Sequence, residues 1–149
     1  MALEIAVIAD SISALAVDGV RICDLDQIPE AVDPRQPTIF PLPEGYVTNI
    51  TQTRISYGGA SEKMNVEYDL TYRLCYAPIG TERGLFAAYP AMVAAAYRFL
   101  DAVLDVATMT GLEDITLASI GTFGPVLDMA GTAFHGCDIS LHVLEFADT

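Results

Sequence analysis

The sequence predicts a single α+β domain with two main helices packed on one face of a mostly antiparallel sheet. Two segments repeat apolar residues every three or four positions, which is typical of amphipathic helices. Others alternate apolar and polar residues, which is typical of strands with one buried face. The order is helix, strand, hairpin, helix, hairpin, and 149 residues is an ordinary length for one domain.

The first helix is predicted over residues 3–16 and ends before Gly19. Its apolar stripe consists of Ile5, Ile8, Ile12 and Leu15. A short strand follows at Val20–Leu25. Residues 26–46 contain five prolines, which favours an extended connection over a helix. Within it, Thr38–Phe40 predicts a short edge strand, because proline is tolerated at sheet edges.

A long β-hairpin is the clearest pattern. Residues 47–57 are rich in Thr, Ile and Val, which favours a strand. In the next strand, Met64, Val66, Tyr68, Leu70, Tyr72, Leu74 and Tyr76 alternate with Asn65, Glu67, Asp69, Thr71, Arg73 and Cys75. The two strands are predicted to pair through a glycine-bearing tip at 58–63. The tyrosines predict a core face under the helices, and a ligand-stacking surface is the alternative.

The second helix is predicted to begin between Thr81 and Pro90, to extend to about Thr108, and to be capped by Gly111. Its buried stripe is predicted to be Met92, Ala96, Phe99, Leu100, Val103 and Ala107.

Two strands follow the second helix. Ile115–Ile120 forms one, with a bent continuation to Leu127. Cys137–Val143 alternates and forms the other. The glycine-containing stretch 128–136 is predicted to be the loop between them.

The chain is strongly acidic, with 20 Asp and Glu against 7 Lys and Arg and a formal net charge of −13. No Lys or Arg follows Arg98. A nucleic-acid-binding surface needs basic side chains to displace counterions, so the charge argues against DNA binding and against attachment to anionic membranes. The acidity serves either solubility or a surface that repels DNA. The candidate acidic surface comprises Asp101, Asp105, Glu113, Asp114, Asp128 and Asp138.

Composition also bears on packing and location. With 52% apolar and 18% charged residues, either a second surface is buried against partners or the core is alanine-rich. Cys23, Cys75 and Cys137 are widely spaced, which predicts reduced, buried thiols in a reducing compartment. The N-terminal residues do not resemble a secretory signal, and no apolar stretch is long enough to predict a membrane span.

No motif indicates catalysis. The G-x-S-x-G and Walker patterns are absent, and Asp24-x-Asp26 lacks the other residues of an EF-hand loop. His135 and Cys137 would share one face of a strand, but zinc needs about three or four ligands. His142 would lie on the opposite face. The sequence therefore predicts no enzyme, no metal and no cofactor.

The order of elements resembles a known family. The N-terminal helix is followed by Pro37-Thr-Ile-Phe-Pro-Leu-Pro and by a hairpin that contains Tyr68-Asp-Leu-Thr-Tyr-Arg-Leu. A helix like Met92–Val106 and two strands across a glycine-containing loop complete the pattern. This arrangement resembles the tail terminator proteins of long-tailed bacteriophages, and more broadly their neck and tail-completion subunits. The resemblance covers most of the chain and lies in element order, not in a residue signature.

The resemblance implies a virion protein that forms a ring, expected to be a hexamer, assembled in the host cytoplasm. The ring would cap the tail tube protein and join it to the head–neck connector protein, and DNA would pass through an acidic lumen without specific binding. The hairpin tip is the candidate contact with a neighbouring subunit. The candidate interface residues are Arg54, Tyr57, Gly58, Gly59, Ser61 and Lys63.

Two alternatives stay open at this point. One is another neck or tail-tube subunit of the same particle. The other, from a different class, is a small soluble ligand-binding or enzymatic α+β domain.

Overall fold

The computed structural model describes residues 3–55, 63–80, 84–105 and 113–148. These residues form an α+β fold with two helices and a seven-stranded, mostly antiparallel sheet, which confirms the predicted fold class. The elements are α1 (Ile5–Ser13), β1 (Arg21–Ile22), β2 (Thr38–Pro41), β3 (Val47–Ile55), β4 (Lys63–Pro78), α2 (Tyr89–Asp105), β5 (Glu113–Ile120), β6 (Gly124–Leu127) and β7 (Ala133–Asp148).

Two strands of 16 residues, β4 and β7, form the centre of the sheet. They pair antiparallel from Lys63↔Asp148 to Pro78↔Phe134. Shorter strands flank them end to end, with β2 and β3 beside β4, and β6 and β5 beside β7. Strand β1 adds to β2 in parallel. The central pair therefore sets the length of the sheet.

The main core lies between the helices and one face of this sheet. The alternating residues of β4 are buried there, as the sequence predicts: Val66, Tyr68, Leu70, Tyr72 and Leu74. Both helices contribute to the same cluster, with Ile8 and Ile12 from α1 and Met92 and Phe99 from α2. Pro90 lies in the first turn of α2, where its missing N–H costs no hydrogen bond. The predicted continuation of this helix to Thr108 lies outside the described residues.

The opposite face is also covered at one end, which the sequence did not predict. Cys23 and Val32 pack there with Phe40, Cys75 and Phe134 in a second apolar cluster. The alternation placed Cys75 on the polar face, but the connection after β1 covers it. The prediction that Thr38–Phe40 forms an edge strand is also wrong. Strand β2 is buried at all four residues, and β1 pairs with it on its outer side.

Two predicted loops are shorter than expected. Ala133–Gly136 belongs to β7 and pairs with β6, so the predicted loop 128–136 is wrong beyond residue 132. Glycine at position 136 allows β4 to pack closely against β7, because a side chain there would meet the carbonyl oxygen of Leu74. At the hairpin, Lys63 is the first residue of β4 rather than part of the tip. The remaining tip residues lie outside the described ranges.

Candidate functional site on the open sheet face

Beyond the second cluster, the sheet face that points away from the helices is open. Strand alternation and register place polar side chains from four strands on it. They include Thr48 and Thr51 of β3, Glu67 and Asp69 of β4, Ser140 and His142 of β7, and Ser119 of β5, and each is exposed or half-buried.

A histidine–carboxylate cluster lies at the centre of this face. His142 lies directly across from Asp69, with Nδ1 2.8 Å from Asp69 Oδ1. Its Nε2 lies 3.1 Å from Glu67 Oε1. Asn49 donates from Nδ2 to the other oxygen of Asp69 at 2.9 Å. The four side chains join β3, β4 and β7 in one polar chain.

The electrostatics of this cluster favour a charged imidazolium. Hydrogen bonds to Asp69 and then to Glu67 raise the pKa of His142 above its ordinary value. Hydrogen bonds from Asn49 and His142 lower the pKa of Asp69. The His142 side chain is 33% exposed, so solvent screens the ion pairs. Two carboxylates against one imidazolium leave the cluster negative.

Both edge strands bulge beside the cluster. The register of β3 shifts between Thr48 and Thr51, and that of β5 between Ile115 and Leu117. Asn49 lies in the first bulge with φ of 58°, a left-handed conformation that asparagine adopts more readily than most residues. A bulge redirects side chains. Here it turns the Asn49 amide toward Asp69.

The contacts of His142 limit what the cluster can do. Each ring nitrogen of His142 faces a carboxylate, so the histidine is not placed as a base beside a hydroxyl or thiol nucleophile. Within the described part of the chain, no group of three or more His, Cys, Asp or Glu side chains is placed to hold a metal ion. The arrangement can brace three strands and present negative charge.

The cysteines are buried, as the sequence predicts. Burial raises the pKa of the Cys75 and Cys137 thiols to about 12. It also raises the pKa of Cys23. Since the thiolate is the reactive form, all three are poor nucleophiles at neutral pH.

Only part of the predicted acidic surface is accessible. Asp101 and Asp105 are exposed on α2, and Asp114 is half-buried on β5. The prediction for Asp128 is wrong, because this residue is only 6% exposed. Its carboxylate accepts hydrogen bonds from the backbone N–H groups of Val32, Ala130 and Thr132 and so fixes the turn before β7. Glu113 is the first residue of β5, and the structure does not describe its side chain.

Asp138 is partly exposed, with 42% of its side chain accessible, but its charge is paired. Arg73 forms a two-pronged ion pair with it, with Nε–Oδ1 at 2.7 Å and Nη2–Oδ2 at 3.0 Å. Arg73 lies opposite Asp138 on β4, so an arginine far earlier in the chain neutralises this carboxylate. The Lys- and Arg-free stretch after Arg98 is therefore less negative in the fold than in the sequence.

Of the candidate interface residues, the structure places two. Arg54 is exposed near the end of β3, and Lys63 begins β4 opposite Ile55. Tyr57, Gly58, Gly59 and Ser61 lie outside the described residues. Arg54 and Lys63 thus occupy the same end of the hairpin.

Sequence reasoning missed a buried carboxylate, Glu145. The residue is 4% exposed and lies on the face of β7 that packs against the helices. Tyr68 donates its hydroxyl to Glu145 Oε2, and the backbone N–H of Glu4 donates to Oε1 at 3.1 Å. A signal was present, because residue 145 continues the alternation of the buried residues Cys137–Val143. This contact ties the start of α1 to the central strand.

A small aromatic cavity of about 270 Å³ lies where α2 begins. Its lining includes Phe86, Tyr89, Met92, Phe123 and His135. His135 stacks on Phe86 with ring centroids 3.8 Å apart. His135 thus lies on the helix side of β7 and His142 on the open side, as the strand alternation predicts.

No family model matches this chain, and no curated protein matches it significantly. None of the helices in the described ranges is long and apolar enough to cross a membrane.

Proposed function

We propose that this protein is a structural ring subunit of a bacteriophage tail, a tail terminator that caps the tail tube and joins it to the head–neck connector. One observation carries the proposal. The sheet has an open, acidic face, and the strands β3 and β5 lie at its opposite edges. A single domain with a distinct surface on each side is suited to repeated contacts between copies.

Exposed apolar side chains support an assembling domain. Ile50, Leu117 and Phe146 are 58%, 59% and 53% exposed, and all lie in the half of the sheet that contains the open face. Ile50 lies on the edge strand β3 and Leu117 on the edge strand β5, on opposite sides of the domain. Contacts between subunits at these two edges would remove both side chains from water.

The charge distribution supports a channel that DNA crosses without adhesion. Glu67 and Asp69 leave the open face negative, and Arg73 is held by Asp138. Like charges repel the phosphate backbone and no counterions are released, so binding to DNA is unfavourable. An acidic lumen follows if this face lines the ring.

Light scattering after size-exclusion chromatography tests the ring, and negative-stain images test its shape. We expect a closed oligomer that binds one end of assembled tail tubes and does not retard DNA in a gel at low salt. Labelling at the tube–connector joint would favour the terminator over other neck subunits, and labelling repeated along the tube would contradict it. A protein that stays monomeric with and without tubes would sink the proposal.

The aromatic cavity favours a second candidate, a small ligand-binding domain. Apolar and aromatic walls with few polar groups are common in small-molecule sites. A thermal-shift screen with metabolites would support this function if one compound gave a saturable rise in melting temperature that F123A abolished. Stabilisation that F123A leaves unchanged would place binding elsewhere.

A further inference from the structure

We infer that neighbouring copies of this chain join edge to edge, with β3 of one copy against β5 of the next. The inference rests on the proposed ring and names its subunit contact. Among the described residues, β3 pairs only with β4, and β5 pairs only with β7. Their outer edges therefore lie on opposite sides of one domain. A contact between two different surfaces of identical subunits closes into a ring when the rotation between copies allows it.

Strand direction suits this contact. Each of the pairs β3–β4, β4–β7 and β7–β5 is antiparallel. It follows that β3 and β5 run in opposite directions. A second copy placed beside the first in the same orientation would set β5 against β3 as an antiparallel pair, the commoner kind of sheet contact.

The two edges also lie at the same level of the sheet. Thr51 pairs with Glu67, Glu67 with Leu144, and Leu144 with Asp114. One row of residues thus runs from edge to edge. In a side-by-side arrangement without a shift, Thr51 of one copy would lie opposite Asp114 of the next, with both residues on the open face.

The edge of β3 is exposed on both faces. All residues from Asn49 to Arg54 are exposed, whereas a strand covered on one face buries alternate residues. On β5, Thr116, Leu117 and Ser119 are exposed. Strand β3 therefore extends past the helix layer, whereas β5 is covered by α2 on one face, where Ile115 is buried. The outer backbone edge of each strand has no partner strand among the described residues, so it can pair with another chain.

The charges of the two edges are complementary. Arg54 is the only charged residue of β3, although the chain contains 20 Asp and Glu. The charged residues of β5 are Glu113 and Asp114, both acidic. The bulges in both strands shorten the regular edge, which limits indiscriminate pairing. Because only a few backbone hydrogen bonds can form between β3 and β5 of the next copy, the opposite charges would contribute more to the choice of partner.

Charge exchange tests the contact. In this register Arg54 and Glu113 lie on the same face of the sheet, two positions apart across the contact. R54E and E113K each place like charges on both edges, and we expect each to lower the association constant at least tenfold by light scattering. The combination of both substitutions restores opposite charges and should recover most of the assembly. The control variants R98E and D101K make the same charge changes on the exposed surface of α2 and should leave assembly unchanged.

Cysteine crosslinking gives a second measurement for variants that fold poorly. T51C/D114C should form a ladder of covalent oligomers on oxidation, and the exposed pair D10C/E44C should not, because the native cysteines are buried. If the wild type assembles but edge variants assemble equally well and T51C/D114C forms no ladder, the edge contact is wrong and the ring stands. If the wild type is monomeric in every condition, both the ring and its contact are wrong.

Discussion

Gly124 and Gly136 lie opposite each other on β6 and β7, yet only Gly136 has no room for a side chain. A β-carbon at Gly136 would overlap the carbonyl oxygen of Leu74 on β4 and press against Val126. At Gly124 nothing lies within 4 Å of the corresponding position. Replacing each glycine by alanine therefore distinguishes the cost of a steric clash from the cost of losing a glycine.

The first prediction concerns this pair. G136A should lower the free energy of unfolding by about 3 kcal/mol or more, because the central strands must separate to admit the methyl group. G124A should change it by less than about 1 kcal/mol. Urea denaturation of both variants checks the difference. Equal losses would mean that the clash at Gly136 relaxes at little cost.

The second prediction concerns pH. The pKa of His142 is raised in the folded state, so its contribution to stability is complete below the ordinary value near 6.5 and is lost as the pH rises through the raised pKa. The pKa of Asp69 is lowered, so its contribution is lost only in acid, as the pH falls through that pKa.

We therefore expect the difference in unfolding free energy between the wild type and H142Q to be largest near pH 6 and to shrink toward pH 9. Urea midpoints at a series of pH values measure it, and an NMR titration of His142 measures its pKa directly. A difference that is constant from pH 6 to pH 9 would show that the histidine contributes by packing alone.

The third prediction concerns two tyrosines in the core. The hydroxyl oxygens of Tyr46 and Tyr72 lie 2.8 Å apart, and their rings meet edge to face at 5.4 Å. Burial raises the pKa of Tyr46 to about 12, so both stay neutral at physiological pH. Y46F removes the partner of a buried hydroxyl and should cost about 1–3 kcal/mol.

Y46F/Y72F should cost less than the sum of the two single variants, because no unpaired hydroxyl is left in the core. A double-mutant cycle by urea denaturation measures this coupling. Additive single effects would indicate that each hydroxyl has another partner.

The fourth prediction concerns Glu145. E145A removes the acceptor for the Tyr68 hydroxyl and the Glu4 N–H and should cost about 2–3 kcal/mol. E145Q keeps an acceptor and should cost less. E44A, at an exposed position, is the control and should be nearly neutral. Hydrogen exchange should show faster opening at the start of α1 in E145A; unchanged exchange there would contradict the proposed tie.

The sequence predicted the central strands well because one face of each is covered along most of its length. Alternation from Val66 to Leu74 requires only this condition. Alternation failed at Cys75, since the connection after β1 folds over the opposite face, and periodicity cannot reveal a cover supplied by an irregular segment. Gly136 suggested a loop because glycine is a turn residue, whereas here it allows close packing of strands.

The polar cluster could not be predicted in the same way. His142 lies 73 positions from Asp69 and 75 from Glu67 in the chain. Alternation puts all three on a polar face, but only the register between β4 and β7 brings them together. The Asn49 contact additionally requires a bulge, for which the sequence of β3 offers no specific sign.

Of the seven strands that the described residues form, β7 is the last in chain order, yet it lies at the centre of the sheet and pairs with β4, β5 and β6. During translation, β4 leaves the ribosome long before β7, so β4 cannot yet form its main strand pair. Contacts this distant in sequence slow folding. We therefore expect the domain to fold only after β7 has been released, and a chain interrupted before residue 133 to be recognised as unfolded rather than enter an assembly.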